Sequence, residues 1–203
     1  PKPLIKIKNI VLLKNTIDFL IDLGCNKIVI NTHFQHQKIY NFIKRNFNSN
    51  KIIISHEMDI LDTGGGLKNA AHFFEDETVL VSNCDIFWTK KNKIDANKLI
   101  KNFQYNEECK LMLVRKKNAY GLNNKKGDFK LNNNILDRWE KGNEIIYFSG
   151  LQIINLNILE NINIKKFSFN KVWDLQIKKN SLYGDIMKSD WYHVGDLMGL
   201  NQA

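Results

Sequence analysis

Apolar residues recur along the first half of the chain in two alternating rhythms. A spacing of three to four marks helices, and short β-branched runs mark strands. Ile10, Leu13, Ile17, Leu20 and Ile21 fall on one helical face, which Gly24 ends. Lys27 to Asn31 reads as a buried strand, Ile39, Phe42 and Ile43 as the inward positions of a second helix, and Lys51 to Ser55 as another strand. Leu67, Ala70, Ala71 and Phe74 mark a third helix, followed by a strand from Thr78 to Ser82. Ala96, Leu99, Ile100 and Phe103 mark a fourth helix, and the strand Leu111 to Val114 closes the series. Strand and helix thus alternate at the spacing that parallel βαβ units need.

From about Ala119 the rhythm breaks. Clusters of Gly, Asn and Lys separate short strands around Phe129, Ile145 to Phe148 and Leu151 to Ile154. A helix near Val172 to Lys179 and a strand at Trp191 to Val194 end the pattern. The reading is a single α/β domain over residues 1–203: a Rossmann-like, doubly wound, mainly parallel sheet with small β insertions. Its first half, 1–118, is the doubly wound sheet, and 119–203 supplies insertions that cover the ligand edge. No repeat or low-complexity linker divides it. The chain runs from Pro1-Lys2-Pro3 straight into a helix, whereas a sheet of this kind starts with a central strand whose following loop holds phosphate.

Composition changes this picture little. Hydrophobic residues make up 43% of the chain, enough for a packed core. No apolar run is long enough to span a bilayer, and no secretory signal opens the sequence, so no membrane partner is expected. Three cysteines, Cys25, Cys84 and Cys109, show no C-x-x-C spacing. This disfavours a zinc knuckle or a disulfide framework and favours a reducing cytoplasm. The net charge of +9 meets the footprint of nucleic-acid binding, but the lysines are scattered and no nucleic-acid motif accompanies them. Phosphate-bearing small substrates account for the charge equally well.

Three segments carry candidate chemistry. Asp62-Thr63-Gly64-Gly65-Gly66 lies between a strand and the third helix, where glycines admit a close ligand and a helix start offers free N–H groups. Thr63 alone would make an N-cap, and a tight turn needs only one glycine, so three in a row favour ligand contact. Ser82-Asn83-Cys84-Asp85 ends a strand, where α/β sheets bind ligands. Asp85 is there either a Mg²⁺ ligand or a solvated turn residue. Trp191 to Asp196 reads by itself as an edge strand with a capping aspartate. His33, His36, His56 and His72 have no mutual metal-site spacing, and no nucleophilic triad stands out.

Together these residues resemble the sugar-1-phosphate nucleotidylyltransferases, or nucleotide-sugar pyrophosphorylases. Pro1-Lys2-Pro3-Leu4, Asp62 to Gly66, Ser82 to Asp85, Phe148-Ser149-Gly150 and Trp191 to Gly195 fall in that family's order over nearly the whole chain. The likeness is greatest to N-acetylmuramic acid-1-phosphate uridylyltransferases and bacterial mannose-1-phosphate guanylyltransferases. It implies the nucleotide-diphospho-sugar transferase fold, with 1–118 as the nucleotide-binding half and 119–203 as the sugar-binding half, and Mg²⁺-dependent transfer of NMP from a nucleoside triphosphate to a sugar 1-phosphate, with pyrophosphate released. The alternative is a non-catalytic nucleotide- or sugar-binding module of the same fold. By resemblance, Lys2 and Asp85 are catalytic, Thr63, Gly64, Gly65 and Gly66 bind the nucleotide, and Glu140, Lys141 and Gly150 bind the sugar. Asp85 and Asp196 hold the metal. The family places an aspartate where His193 stands and a Thr or Ser at Asp196. Its first strand and glycine-rich, arginine-bearing loop lie before Lys2, so this fold is expected to lack its first strand.

Overall fold

The computed structural model describes residues 1–47, 50–122 and 124–195. Lys2–Leu4 form a single 3-10 turn, and a small hairpin follows, β1 (Lys6–Ile7) with β2 (Ile10–Val11). Its turn residues Lys8 and Asn9 have φ of 45° and 69°. Positive φ at both central positions is the turn geometry whose twist matches paired strands. This hairpin replaces the first turn of the expected helix, so Ile10 is exposed rather than inward. The helix α1 (Leu12–Asp22) buries Leu12, Leu13, Thr16, Ile17, Phe19 and Leu20, and leaves Ile21 exposed.

The βα series then follows nearly as its periodicity predicts. Its elements are β3 (Ile28–Thr32), α2 (His36–Asn46), β4 (Ile52–His56), α3 (Asp62–Ala70), β5 (Thr78–Ser82), β6 (Ile86–Phe87), α4 (Lys90–Asn102) and β7 (Cys109–Arg115). The second half adds β8 (Ala119–Tyr120), β9 (Phe129–Asn132), β10 (Ile135–Arg138), β11 (Ile146–Asn155), α5 (Phe169–Lys178), β12 (Leu182–Ile186) and β13 (Trp191–His193). Two strands expected around Ile145 and Leu151 are one continuous β11, which Gly150 crosses at φ 87° where the register shifts.

Six strands form the main sheet in the order β5-β11-β7-β12-β10-β9. β12 runs parallel to β7, while β11 is antiparallel to both β5 and β7, so β5, β7 and β12 share one direction. β3 and β4 pair parallel over five positions. The reversed strands β11 and β10 both come from the second half. Alternation along β7 divides the core in two. Met112 and Val114 pack with α1, α2 and α4 side chains, and Cys109, Leu111 and Leu113 with those of α3 and α5. The sheet therefore carries helices on both faces, the doubly wound arrangement.

One gap interrupts it. Among the described residues β3 pairs only with β4, and β5 only with β11. Between them lies a cavity of about 210 Å³, lined by Ile28 to Asn31 and Val79 to Ser82, with Leu13 and Ile17 of α1 and Leu67 and Ala70 of α3 completing the wall. The sheet is split where a strand between β3 and β5 would stand.

Candidate active site at the end of strand β5

Strand β5 ends at Ser82, and the turn after it is held from two sides. The Asn83 N–H donates to the Gly150 carbonyl at 2.8 Å, and the Val194 N–H donates to the Asp85 carbonyl at 2.7 Å. A Cβ on Gly150 would stand 3.1 Å from Asn83 Cβ and Ile86 Cγ1, so this close approach and the positive φ both require glycine. Antiparallel pairing of β6 with β13 sets His193 opposite Ile86 and brings its ring to Asp85.

Three charged or polar side chains meet there. Lys2 Nζ donates to Asp85 Oδ2 at 2.9 Å, and His193 Nε2 lies 3.5 Å from the same oxygen. Burial pushes the Asp85 carboxyl up, but His193 and Lys2 beside it outweigh that and hold it at about 2. Asp85 is thus a carboxylate at any physiological pH. Its other oxygen, Oδ1, is buried without a hydrogen-bond partner. The His193 ring stacks on buried Trp191 at 5.6 Å, and a Cβ on Gly195 would collide with it, so the imidazole is clamped. The Cys84 thiol next door is pushed up to about 12 by burial and the Asp85 charge, which disfavours its thiolate form.

A polar crevice of about 350 Å³ opens beside this cluster at the carboxyl ends of β3, β4 and β5. Asn31, Thr32, His33, Glu57, Asp62, Thr63, Ser82 and Asn83 line it. It brings the Asp62–Thr63 segment and the loop leading to Asp85 into one place, as strand-end ligand sites require. The three glycines are not in a loop before the helix but inside its first turns, since α3 starts at Asp62, which has φ 65°. Thr63 is not the N-cap. Leu61 holds that position, and the Thr63 hydroxyl accepts from the Phe169 N–H at 3.0 Å. Each glycine meets protein closely: a Cβ on Gly64 would strike the Phe167 ring, on Gly65 the Lys165 carbonyl, and on Gly66 both Asn31 and Glu57.

The remaining predicted residues lie elsewhere. Glu140 Oε1 accepts from Lys130 Nζ at 2.9 Å beyond the β9–β10 hairpin, and Lys141 is exposed next to it. Neither lines the crevice. Asp196 lies outside the described residues. Among those described, no three His, Cys, Asp or Glu side chains stand close enough to share a metal ion. Sequence reasoning did not single out Glu57 and gave His33 and Asn83 no role of their own, although each directly follows a strand, and that placement was the available signal.

The fold is the nucleotide-diphospho-sugar transferase fold, and the sequence is similar to those of sugar-1-phosphate nucleotidylyltransferases. The chain is 25% identical over 204 residues to N-acetylmuramate alpha-1-phosphate uridylyltransferase of Caulobacter vibrioides, covering 97% of this chain and 84% of that protein. It is 23% identical to the catalytic subunit beta of mannose-1-phosphate guanylyltransferase of Drosophila melanogaster, over 96% of this chain but 54% of that protein, about half its length. Among solved structures, HddC from Yersinia pseudotuberculosis in complex with GMP-PN matches with a TM-score of 0.80 at 21% identity, covering 100% of this chain and 88% of that one. No protein-family model matches the chain. No helix among the described residues is long and apolar enough to cross a membrane.

Proposed function

We propose that the protein transfers a nucleoside monophosphate from a nucleoside triphosphate to a sugar 1-phosphate and releases pyrophosphate, in a Mg²⁺-dependent reaction of the cytoplasm. The observation that carries this reading is the ionised, backbone-anchored Asp85 at the end of β5, beside Lys2 and next to the polar crevice. In the reaction an oxygen of the sugar phosphate attacks the α-phosphorus, and the bond from that phosphorus to the bridging oxygen breaks. Its electron pair leaves with pyrophosphate. The nucleophile is already an anion, because the second pKa of a phosphate monoester is about 6. A general base is therefore unnecessary, and no Ser/His/Asp or Cys/His pattern stands out in the sequence.

What the site must supply is alignment and charge neutralisation. Lys2 is the mobile cation. Its ammonium rests on Asp85 with the side chain 41% exposed, free to follow phosphate oxygens as charge develops on them. Asp85 suits magnesium, because its buried Oδ1 lacks a partner and Mg²⁺ needs only one or two carboxylates with phosphate and water. Bound there, Mg²⁺ would offset negative charge on the triphosphate. His193 is a poorer ligand for that ion and fits a phosphate contact on the same rim. Gly150, through Asn83, keeps the Asp85 loop in register, and Glu140 and Lys141 remain candidates for sugar contact.

The test is pyrophosphate release by the protein with four nucleoside triphosphates and a panel of sugar 1-phosphates. Turnover with at least one pair, dependent on Mg²⁺, is expected. Tight binding of nucleotide or sugar phosphate with no turnover for any pair would favour the non-catalytic module instead.

A further inference from the structure

Helix α4 carries five lysines, Lys90, Lys91, Lys93, Lys98 and Lys101. Its inner side is settled. Ala96 and Leu99 are buried in the core, and Asp95, its only acid, accepts from the Ser189 N–H at 3.1 Å and from the Ser189 hydroxyl at 2.6 Å. Lys93 pairs with Asp22 at 3.5 Å. The other four lysines are all exposed and stand at helical spacing on either side of Ile94, so they ring that residue on the outward face. Ile94 is 60% exposed at the centre of this face, and Tyr105, just past the end of the helix, is fully exposed. Among the described residues none of the four lysines has an acidic partner. Two of these charges go against the helix itself. Lys90 and Lys91 occupy its first turn, where the helix dipole disfavours cations and no acid offsets them. The Thr89–Asn92 capping box holds that end nonetheless. Like charges around an exposed isoleucine are unfavourable in the free protein and become favourable when an anionic surface covers them.

We propose that the outward face of α4 docks on a membrane surface bearing anionic lipid headgroups, an inference that stands apart from the reaction proposed above. Docking of this kind needs no spanning segment. A basic face with apolar and aromatic side chains lies in the interface, its cations among the headgroups and its apolar groups just beneath them. Lys90, Lys91, Lys98 and Lys101 meet the headgroups, and their long stems let Ile94 enter between them. Tyr105 adds the amphipathic ring that membrane interfaces favour. Nucleic acid would also attract the lysines, but its phosphate backbone gives Ile94 no apolar contact. The isoleucine is what separates the two partners.

Co-sedimentation with vesicles tests this without reference to turnover. The protein should bind vesicles of phosphatidylcholine mixed with phosphatidylglycerol, should not bind phosphatidylcholine alone, and should be released as salt screens the charge. Lys90→Gln, Lys91→Gln, Lys98→Gln and Lys101→Gln should each weaken binding by about fivefold, and the four together should abolish it. Ile94→Ser, which leaves the charge unchanged, should weaken it by about tenfold. A matched variant, Lys38→Gln, Lys44→Gln, Lys126→Gln and Lys171→Gln, removes the same charge from exposed positions elsewhere and should keep its binding. Equal losses in the two quadruple variants would trace binding to net charge and overturn the docking face. So would failure of the unaltered protein to bind the anionic vesicles. Binding of duplex DNA or RNA through the same four lysines, with Ile94→Ser unaffected, would make the face a nucleic-acid surface instead. A thermal melt checks that each variant folds, and should a quadruple variant not fold, the single substitutions decide.

Discussion

The two edges of β5 have different fates. On one edge β11 pairs with it along five consecutive residues, and β7 lies beyond, where Cys109, Leu111, Leu113 and Val114 are fully buried. On the other edge β5 faces the cavity toward β3. There Leu80, Val81 and Ser82 stay half-buried in the middle of the molecule, and the Thr16 hydroxyl is buried without a partner. A strand with neighbours on both edges has its backbone and its side chains sealed. A strand with one neighbour leaves one edge of its backbone unpaired and its side chains less completely covered. The loop bearing Asp85 grows out of the strand between these two environments. It is anchored through Asn83 to the sealed side and opens on the crevice at the other.

This contrast can be broken or sharpened by experiment. Leu113→Ala, on the sealed side, should cost about 3–5 kcal/mol of unfolding free energy in denaturant titrations, because a close-packed site leaves a cavity when truncated. Leu80→Ala beside the gap should cost about 1 kcal/mol, since it is only half-buried and its neighbours already leave space. Equal losses would show that the two edges are packed alike.

Asp85→Asn comes next in size. Loss of a preorganised charged group typically costs on the order of a hundred- to a thousandfold in turnover, and the Mg²⁺ response should weaken with it. The melting temperature should change little, because the loop is held by backbone hydrogen bonds from Asn83 and Val194 rather than by the carboxylate. Normal turnover with normal magnesium dependence would remove Asp85 from the chemistry.

Acid stability should report the same residue more weakly. The Asp85 carboxyl is held at about 2 in the folded protein against an ordinary value of 3.8. A depressed carboxyl contributes stability that is complete above the unfolded value and is lost as pH falls through the folded one. Stability measured from pH 5 to pH 2 should therefore fall more steeply in the unaltered protein than in Asp85→Asn. Parallel curves would mean that Lys2 and His193 do not hold the charge. The smallest effect is expected on the open side, where Thr16→Val removes a buried, unpartnered hydroxyl and should stabilise by about 1 kcal/mol. Destabilisation would show that the hydroxyl is bonded across the gap.

The sequence alone determined the βα series, because helix and strand periodicity is a local property that each segment displays for itself. β5 begins and ends where its apolar run does, and β3, α2, β4 and α4 lie within a few residues of their expected bounds. Asp85 was legible for the same reason: a carboxylate just past a strand can be read from a few letters. Contacts between distant segments were not. β12 is short and interrupted by Gly184, whose missing side chain makes room for Leu113, and only its pairing with β7 makes it a strand. The glycines at 64 to 66 read as a ligand loop, yet the tertiary structure sets them inside α3 against Phe167, Lys165, Asn31 and Glu57, partners up to about a hundred residues away in sequence. Likewise, the meeting of Lys2, Asp85 and His193 depends on which strands lie side by side. Strand pairing joins residues that no local pattern relates, so these features were decided only when the chain folded.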